Sequence, residues 1–319
     1  MILDTTADLK KYISISNSFV IEDFVPYINK AANSFTAKYV GDLHEQLSTL
    51  PTGTNADIKI IAREHLRNAI ANFGYYMYLP FASVLMDSAG ISVVNTDQRK
   101  NAEWWQIKDI RRECLRSGHE AMDLLLKFLE ANPNVFTDYA ANYSTINKEL
   151  VVNSATVFSK YYNIFDSRQT YLALQSTLRL VEDQYLHTLL CPELITVLKS
   201  TASGNVLKLQ VAIQKAMVAF TVAKVANTGL FLLDEKGLRV DFENMSDGRK
   251  ESPSYGKSVE QSEKLAIEQI NNGTQYLQLA KKIIEDNIAD FNQCTSPLIQ
   301  SQSSGTGYVS YDTKGVFGL

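Results

Sequence analysis

Cysteine, proline and glycine are all scarce in this 319-residue chain, at 3, 7 and 15 copies. The three cysteines, Cys114, Cys191 and Cys294, are odd in number and far apart. A disulfide framework or a zinc cluster is therefore not expected, and a reducing cytosol is the natural compartment. Few prolines and glycines disfavour a many-stranded sandwich or barrel, which needs frequent turns, and suit long helices. Excess positive charge is also missing. The net charge is −4, with 15 basic and 18 acidic residues in 1–150 and 16 and 17 in 151–319. No global basic footprint for nucleic acid follows. The N-terminal MILDTTADLKKY has no apolar core of a signal peptide. No membrane span is expected.

What is present is an ordinary globular composition, 45% hydrophobic and 21% charged, at a length suited to two domains. The chain also resembles itself. Leu85–Val93 (LMDSAGISV) aligns with Leu232–Val240 (LLDEKGLRV) at an offset of 147, which also pairs Ala69 with Ala216 and Phe73 with Phe220. At an offset of 155, Gly118 meets Gly273, Met122 meets Leu277, and Phe136 meets Phe291. The eight extra residues fit the polar stretch 246–257. Near an offset of 150, Ile28, Ala31, Phe35 and Tyr39 match Leu178, Val181, Tyr185 and Leu189. Such self-similarity reads as an internal duplication.

The apolar spacing predicts a mainly α chain of two tandem similar lobes, each with about three long helices and a short β excursion. In the first lobe (1–143) helices are expected over 21–50, 56–86 and 98–131. Ile91–Val94 is expected as a strand, Asp97 as an N-cap, and Asn132-Pro133 as a stop. In the second lobe (144–294) helices are expected over 166–199, 205–230 and 256–290, with a β-hairpin near 230–242. Residues 138–150 read as the joint. Residues 295–319, rich in Ser, Gly, Thr and Gln, read as an extended tail that docks on its own body, a neighbouring copy or another protein.

Chemistry-bearing motifs are few. The four histidines show no i, i+3 or i, i+4 pair and no H-E-x-x-H. Asp183 and His187 share a helical face and read as an ion pair. Gly256-Lys257-Ser258 looks like the end of a phosphate loop, but Glu251 stands where that loop needs glycine. No catalytic residue, cofactor or metal is nominated, and no enzymatic activity is expected. A cluster of Lys108, Arg111, Arg112 and Arg116 lies on the third helix. It reads as a solvated face, a docking face for an acidic partner, or a contact to DNA phosphates. Beside it, Trp104 and Trp105 point about 100° apart on a helix, so one can anchor the core while the other faces a partner. In the tail, Tyr308, Tyr311, Phe317 and Leu319 are candidate docking side chains.

Residues 28–47 (INKAANSFTAKYVGDLHEQL) resemble the start of an uncharacterised family encoded by phages and prophages of Bacteroidetes-type hosts. Ala102–Gln106 with Arg111-Arg112 and Leu124–Phe136 resemble its second signature, while Val40 departs from the family's usual leucine. The family's plan is similar to the small helical head–tail connector, or adaptor, proteins of tailed phages. The resemblance implies a virion structural protein, a neck ring subunit joining portal to tail. Its implied partners are further copies in a roughly dodecameric ring, the portal protein, and tail or other neck proteins, with genomic DNA passing through unbound. It implies residence at the head–tail vertex, after assembly in the host cytoplasm, and no membrane. The alternatives are another virion, tail-completion or packaged assembly protein, a DNA-binding helical protein, or an enzyme whose site is not legible.

Overall fold

The computed structural model describes residues 2–82, 84–87, 90–93, 102–200, 202–226, 231–234, 237–240, 259–293 and 296–298. The chain is mainly α, with two hydrophobic cores, one built from residues 2–136 and the other from 150–291. In the first lobe, α1 is Thr6–Leu9 and α2 is Val25–Ala31. A π-turn, Ala32–Thr36, leads to α3 (Ala37–Val40) and α4 (Leu43–Ser48). The long α5 (Ala56–Tyr78) follows, then strands β1 (Val84–Asp87) and β2 (Gly90–Val93), then α6 (Trp104–Ala131). Helix α7 (Thr137–Lys148) joins the lobes. The second lobe has α8 (Ala155–Ser159), α9 (Arg168–Val181), a π-turn (Glu182–Leu186), α10 (Pro192–Leu198) and α11 (Gly204–Val225). Strands β3 (Phe231–Asp234) and β4 (Gly237–Val240) and helix α12 (Val259–Asp286) complete it.

One helix in each lobe is enclosed by the others. Helix α5 buries Leu66, Ala69, Ile70 and Phe73, and packs most extensively on α6. Helix α11 buries Ile213, Ala216, Met217 and Phe220, and packs most extensively on α12. A helix that is apolar all round belongs inside, whereas α6 and α12 are amphipathic covers. Helix α11 is also long and apolar enough to cross a membrane, contrary to expectation, although most of it is buried in the lobe. Its charges are the well-separated Lys208, Lys215 and Lys224, so an 18-residue window contains few of them.

The same ties recur in both lobes. Phe35 stacks on Phe73 at 4.2 Å, and Tyr185 on Phe220 at 4.0 Å. Gly118 and Gly273 face those phenylalanines: a Cβ at either position would lie 2.6 or 2.7 Å from the ring. Arg63 Nε donates to Leu47 C=O at 3.1 Å, as Gln210 Nε2 does to Leu198 C=O at 2.7 Å. Arg67 Nε holds Ile2 C=O at 3.0 Å and Gln214 Nε2 holds Val151 C=O at 3.1 Å. Tyr12 donates to Glu64, the ion-pair partner of Arg67, while Tyr161 donates to Gln214 itself.

Several expected elements are corrected. The helices expected over 21–50 and 166–199 are each broken into shorter ones, so among the described residues each lobe has two long unbroken α-helices rather than three. A π-turn widens each of these helices by one backbone step. After it, Gly41 adopts φ +53° in the first lobe, a region that favours glycine. In the second lobe Pro192 starts a new helix. Helix α5 stops at Tyr78 rather than Met86: Leu79 still has helical dihedrals, but Pro80 has no N–H to continue the ladder. The residues released form β1, so the expected lone strand at Ile91–Val94 is one arm of a hairpin, with Val84 opposite Val93. The second hairpin lies where expected, with Phe231 opposite Val240, and Leu238 N–H docks it on Asn163 C=O at 2.9 Å. Helix α6 begins at Trp104, capped by Glu103 and Gln106; the expected cap Asp97 lies outside the described residues. Asn132 ends α6 as expected, and the joint is helix α7. Cys191 is disulfide-bonded, although no disulfide framework was expected. Cys294 lies outside the described residues, and Cys114 is a free, buried thiol whose pKa burial pushes up to about 11.

A polar joint connects the lobes. Gln169 Nε2 donates to His119 C=O at 2.9 Å, so Gln169 Oε1 is left to accept from His119 Nδ1 at 2.7 Å. Gln169 N–H donates to Asp123 at 3.0 Å, and Arg168 Nε donates to Glu130 at 3.0 Å. His119 also meets the edge of Phe73 at 4.8 Å.

Two outcomes are expected. Gly118→Ala and Gly273→Ala each force a methyl group against a packed ring. Each should lower stability by about 1–3 kcal/mol, measured by urea denaturation. The second concerns pH. Burial lowers the pKa of His119 from 6.5 to about 4, so the imidazole is neutral in the fold. The unfolded chain binds that proton first, and stability falls as pH drops from 6.5 towards 4, by about 3 kcal/mol at pH 4. Burial raises the pKa of Asp123, which opposes this trend in the acid range. His119→Asn keeps a donor towards Gln169 and removes the titration. It should flatten the slope of melting temperature against pH in that window.

Candidate functional site

Helix α6 displays most of the residues singled out from the sequence. Trp104 is its first residue, with a side chain outside the described set, and Trp105 is 53% exposed. The basic row is not a bare cationic stripe. Arg116 pairs with Glu113 at 2.6 Å and with Glu120 at 3.0 Å, and Arg112 lies 3.8 Å from Asp109. Arg111 turns back over the ring of Tyr76 at 4.7 Å, a cation–π contact to its own lobe. Lys108 is half-buried. The four cations share a helix, and Arg111, Arg112 and Arg116 are engaged within it or with α5, which weakens their draw on phosphates. Tyr308, Tyr311, Phe317 and Leu319 lie outside the described residues, as do the 246–257 stretch and the Gly256-Lys257-Ser258 motif. Asp183 and His187 do face each other, at 3.9 Å. No metal-holding cluster of His, Cys, Asp or Glu occurs among the described residues.

The sequence reading missed a groove of about 840 Å³ in the first lobe. Its near wall is the turn Tyr39–Asp42 between α3 and α4, and its far wall is Thr137–Tyr139 at the start of α7. Leu43, Phe136 and the second lobe's Leu172 give it an apolar floor, and Lys38 and Lys59 line it with Asp42 and Asp138. The Lys38 ammonium lies 4.8 Å from the Tyr39 ring centre, and its burial lowers its pKa. Burial, with the Asp123 charge behind it, pushes the Tyr39 hydroxyl up to about 12. Tyr39 is therefore a neutral donor at physiological pH. The arrangement offers apolar contact, two cations and two carboxylates on an open surface, which suits a polypeptide better than a small enclosed ligand. The Tyr39-Val40-Gly41 step was the available signal, since a glycine after a helical run marks a turn.

Residues 26–148, from α2 through α7, match a family of unknown function (DUF6712). No curated protein and no solved structure is significantly similar to the chain. The matched region contains the whole basic row, both tryptophans and all of the groove except Leu172.

The exposed ion pairs on α6 should matter little to folding. Arg112→Ala with Arg116→Ala should change unfolding free energy by less than about 1 kcal/mol. Arg67→Ala should cost about 3 kcal/mol, because it strips a buried cation from Asp8, Glu64 and Ile2. Parallel urea titrations compare the two.

Proposed function

We propose that the chain is a structural subunit of a phage particle, a head–tail connector of the neck that assembles into a ring and catalyses no reaction. The observation that carries this reading is the repeated lobe. Two bodies of one plan, tied by the same stacked aromatic pair and the same side-chain ties to backbone, sit side by side through a hydrogen-bonded joint. We read that repetition as an internal duplication. A body that already packs one lobe against its like is suited to packing against further copies of itself, patch on different patch, as a ring requires. Trp105, Ile110 and Leu124 on α6 and Ile267, Ile270 and Leu279 on α12 are exposed apolar side chains on the outer helices. They supply anchors of the kind that interfaces bury. The family resemblance of residues 28–47 and 102–136 supplies the phage context. In this reading the ring meets portal protein on one side and tail or other neck proteins on the other, and DNA passes without specific binding.

The test is to label intact particles with an antibody against this chain and image them. Label confined to the head–tail vertex is expected. Label on another part of the particle rejects the connector assignment while keeping a virion role. Absence of label, with the epitope shown to be accessible, rejects both.

A further inference from the structure

The second lobe holds a smaller pocket, of about 280 Å³, between the end of α8, the middle of α11 and the middle of α12. Its floor is Val218 and Ala219, both buried. Lys160, Lys215, Gln269, Asn272 and Tyr276 line it, and Tyr161 and Tyr162 add aromatic wall. No carboxylate is among the described residues that line it. Lys215 is half-buried and lies 5.3 Å from the centre of the Tyr276 ring. Neither Lys160 nor Lys215 has an ion-pair partner among the described residues. Gln269, Asn272 and Tyr276 are half-buried too, and their side chains make no hydrogen bond among those residues. Five side chains able to donate, two of them charged, thus share one cavity. The first lobe is built otherwise at the matching place. The N-cap of α1, Thr5, accepts from Asp8 N–H at 3.1 Å, and that of α8, Ser154, accepts from Val157 N–H at 3.2 Å. Asp8 and Val157 are therefore counterparts, as are Lys11 and Lys160. Lys11 lies 3.4 Å from Asp8, whereas Lys160 has an apolar valine in that place. On the enclosed helix, the offset of 147 sets Asn68 opposite Lys215. The second lobe has lost a carboxylate and gained a cation around the same cavity.

We propose that this pocket binds the phosphate group of a small phosphate monoester. A half-buried cation without a counter-charge is unfavourable, and an anion in the cavity removes that cost. A monoester phosphate carries about −1.5 to −2 charges at neutral pH, which the two lysines match. Its three terminal oxygens accept hydrogen bonds, which the amides of Gln269 and Asn272 and the hydroxyl of Tyr276 are free to donate. The cavity leaves room beyond the phosphate, where Tyr161 and Tyr162 offer aromatic surface to the organic part of the ester. A nucleic-acid backbone fits less well. It carries one charge per phosphate and is held by a track of cations, whereas residues 269–280 of the adjoining α12 carry no charge at all. The inference does not rest on the assembly reading above, because a single folded chain contains the whole pocket.

The experiment uses the full chain. Inorganic phosphate and thymidine monophosphate are titrated by calorimetry, with ionic strength held constant by sodium chloride. A short oligothymidylate serves as competitor at equal phosphate concentration. Saturable binding of both small phosphates at one shared site is expected, and the oligothymidylate should not displace them. Lys160→Met with Lys215→Met should weaken both by about tenfold or more. Lys160→Met alone, at an exposed position, should weaken both by about threefold or more, and supplies the comparison if the double variant does not fold. Lys11→Met, which removes the paired counterpart in the first lobe, should leave binding unchanged. Circular dichroism verifies the fold of each variant. Absence of saturable binding, or binding that ignores the Lys160 and Lys215 variants, overturns the proposal. Binding that chloride alone abolishes at the same ionic strength also overturns it, because the lysines then hold only an ion cloud. Inorganic phosphate that thymidine monophosphate cannot displace overturns the ester assignment. Displacement by the oligothymidylate overturns it in favour of a nucleic-acid backbone.

Discussion

A phenylalanine in each lobe occupies the space that a side chain on the facing helix would need. Phe73 projects from α5 against Gly118 of α6, and Phe220 from α11 against Gly273 of α12. The missing Cβ lets each long cover helix approach the enclosed helix closely. On the other side, Phe35 or Tyr185 stacks on the same ring. Three helices are thereby fixed around one aromatic ring, with contact geometry that constrains spacing and rotation together. The remaining apolar burial, from Ile70 and Met122 in one lobe to Met217 and Ile284 in the other, follows from that spacing. The π-turn belongs to the same arrangement. Phe35 lies within one π-turn and Tyr185 within the other. The local widening of the helix accompanies a ring presented to its partner, in keeping with the frequent placement of π-bulges at specialised positions.

The lobes differ in how they hold their polar ties. The first lobe uses Arg63 and Arg67 where the second uses Gln210 and Gln214, against equivalent backbone carbonyls. An arginine brings a charge that must be paired, and Asp8 and Glu64 provide the partners for Arg67. A glutamine brings none, and Tyr161 is sufficient for Gln214. The first lobe's N-terminal segment is thus held by an ion-paired arginine, and the second lobe's by the neutral Gln214 together with Glu182, which accepts from Val151 N–H and pairs with Lys199. The joint between lobes mixes both. Gln169 reaches His119 and Asp123, and Arg168 reaches Glu130, in a place where burial keeps the imidazole neutral.

The mainly α class was legible because Gly and Pro are few and the apolar spacing in α6 and α12 is long and regular. The ends of α6 were partly legible, since Asn132-Pro133 is a local stop. The break in the first helix of each lobe was not. A π-turn inserts one backbone step while leaving apolar residues at nearly helical intervals, so Ile28, Phe35 and Tyr39 read as one continuous face. Pro80 was a local signal for the end of α5, and the helix expected over 56–86 runs past it. The run through Met86 is apolar because it continues into a strand. The groove was invisible for another reason: its walls come from residues near 40, near 59, near 137 and from Leu172, and only tertiary packing brings them together. The same distance in sequence hid the partnership of Cys191 with the 296–298 region.

Packing one lobe against the other consumes surface on α6 and α9, but it leaves the two turn regions in unlike states. In the second lobe the extended backbone at Leu190 and Cys191 pairs with residues 296–298. In the first lobe Gly41 turns at φ +53° and its N–H closes the helix end on Ala37 C=O at 2.7 Å. A backbone donor at a helix end needs a partner, and the two lobes meet that need by different means, one with a segment from far along the chain and one with its own last helical turn.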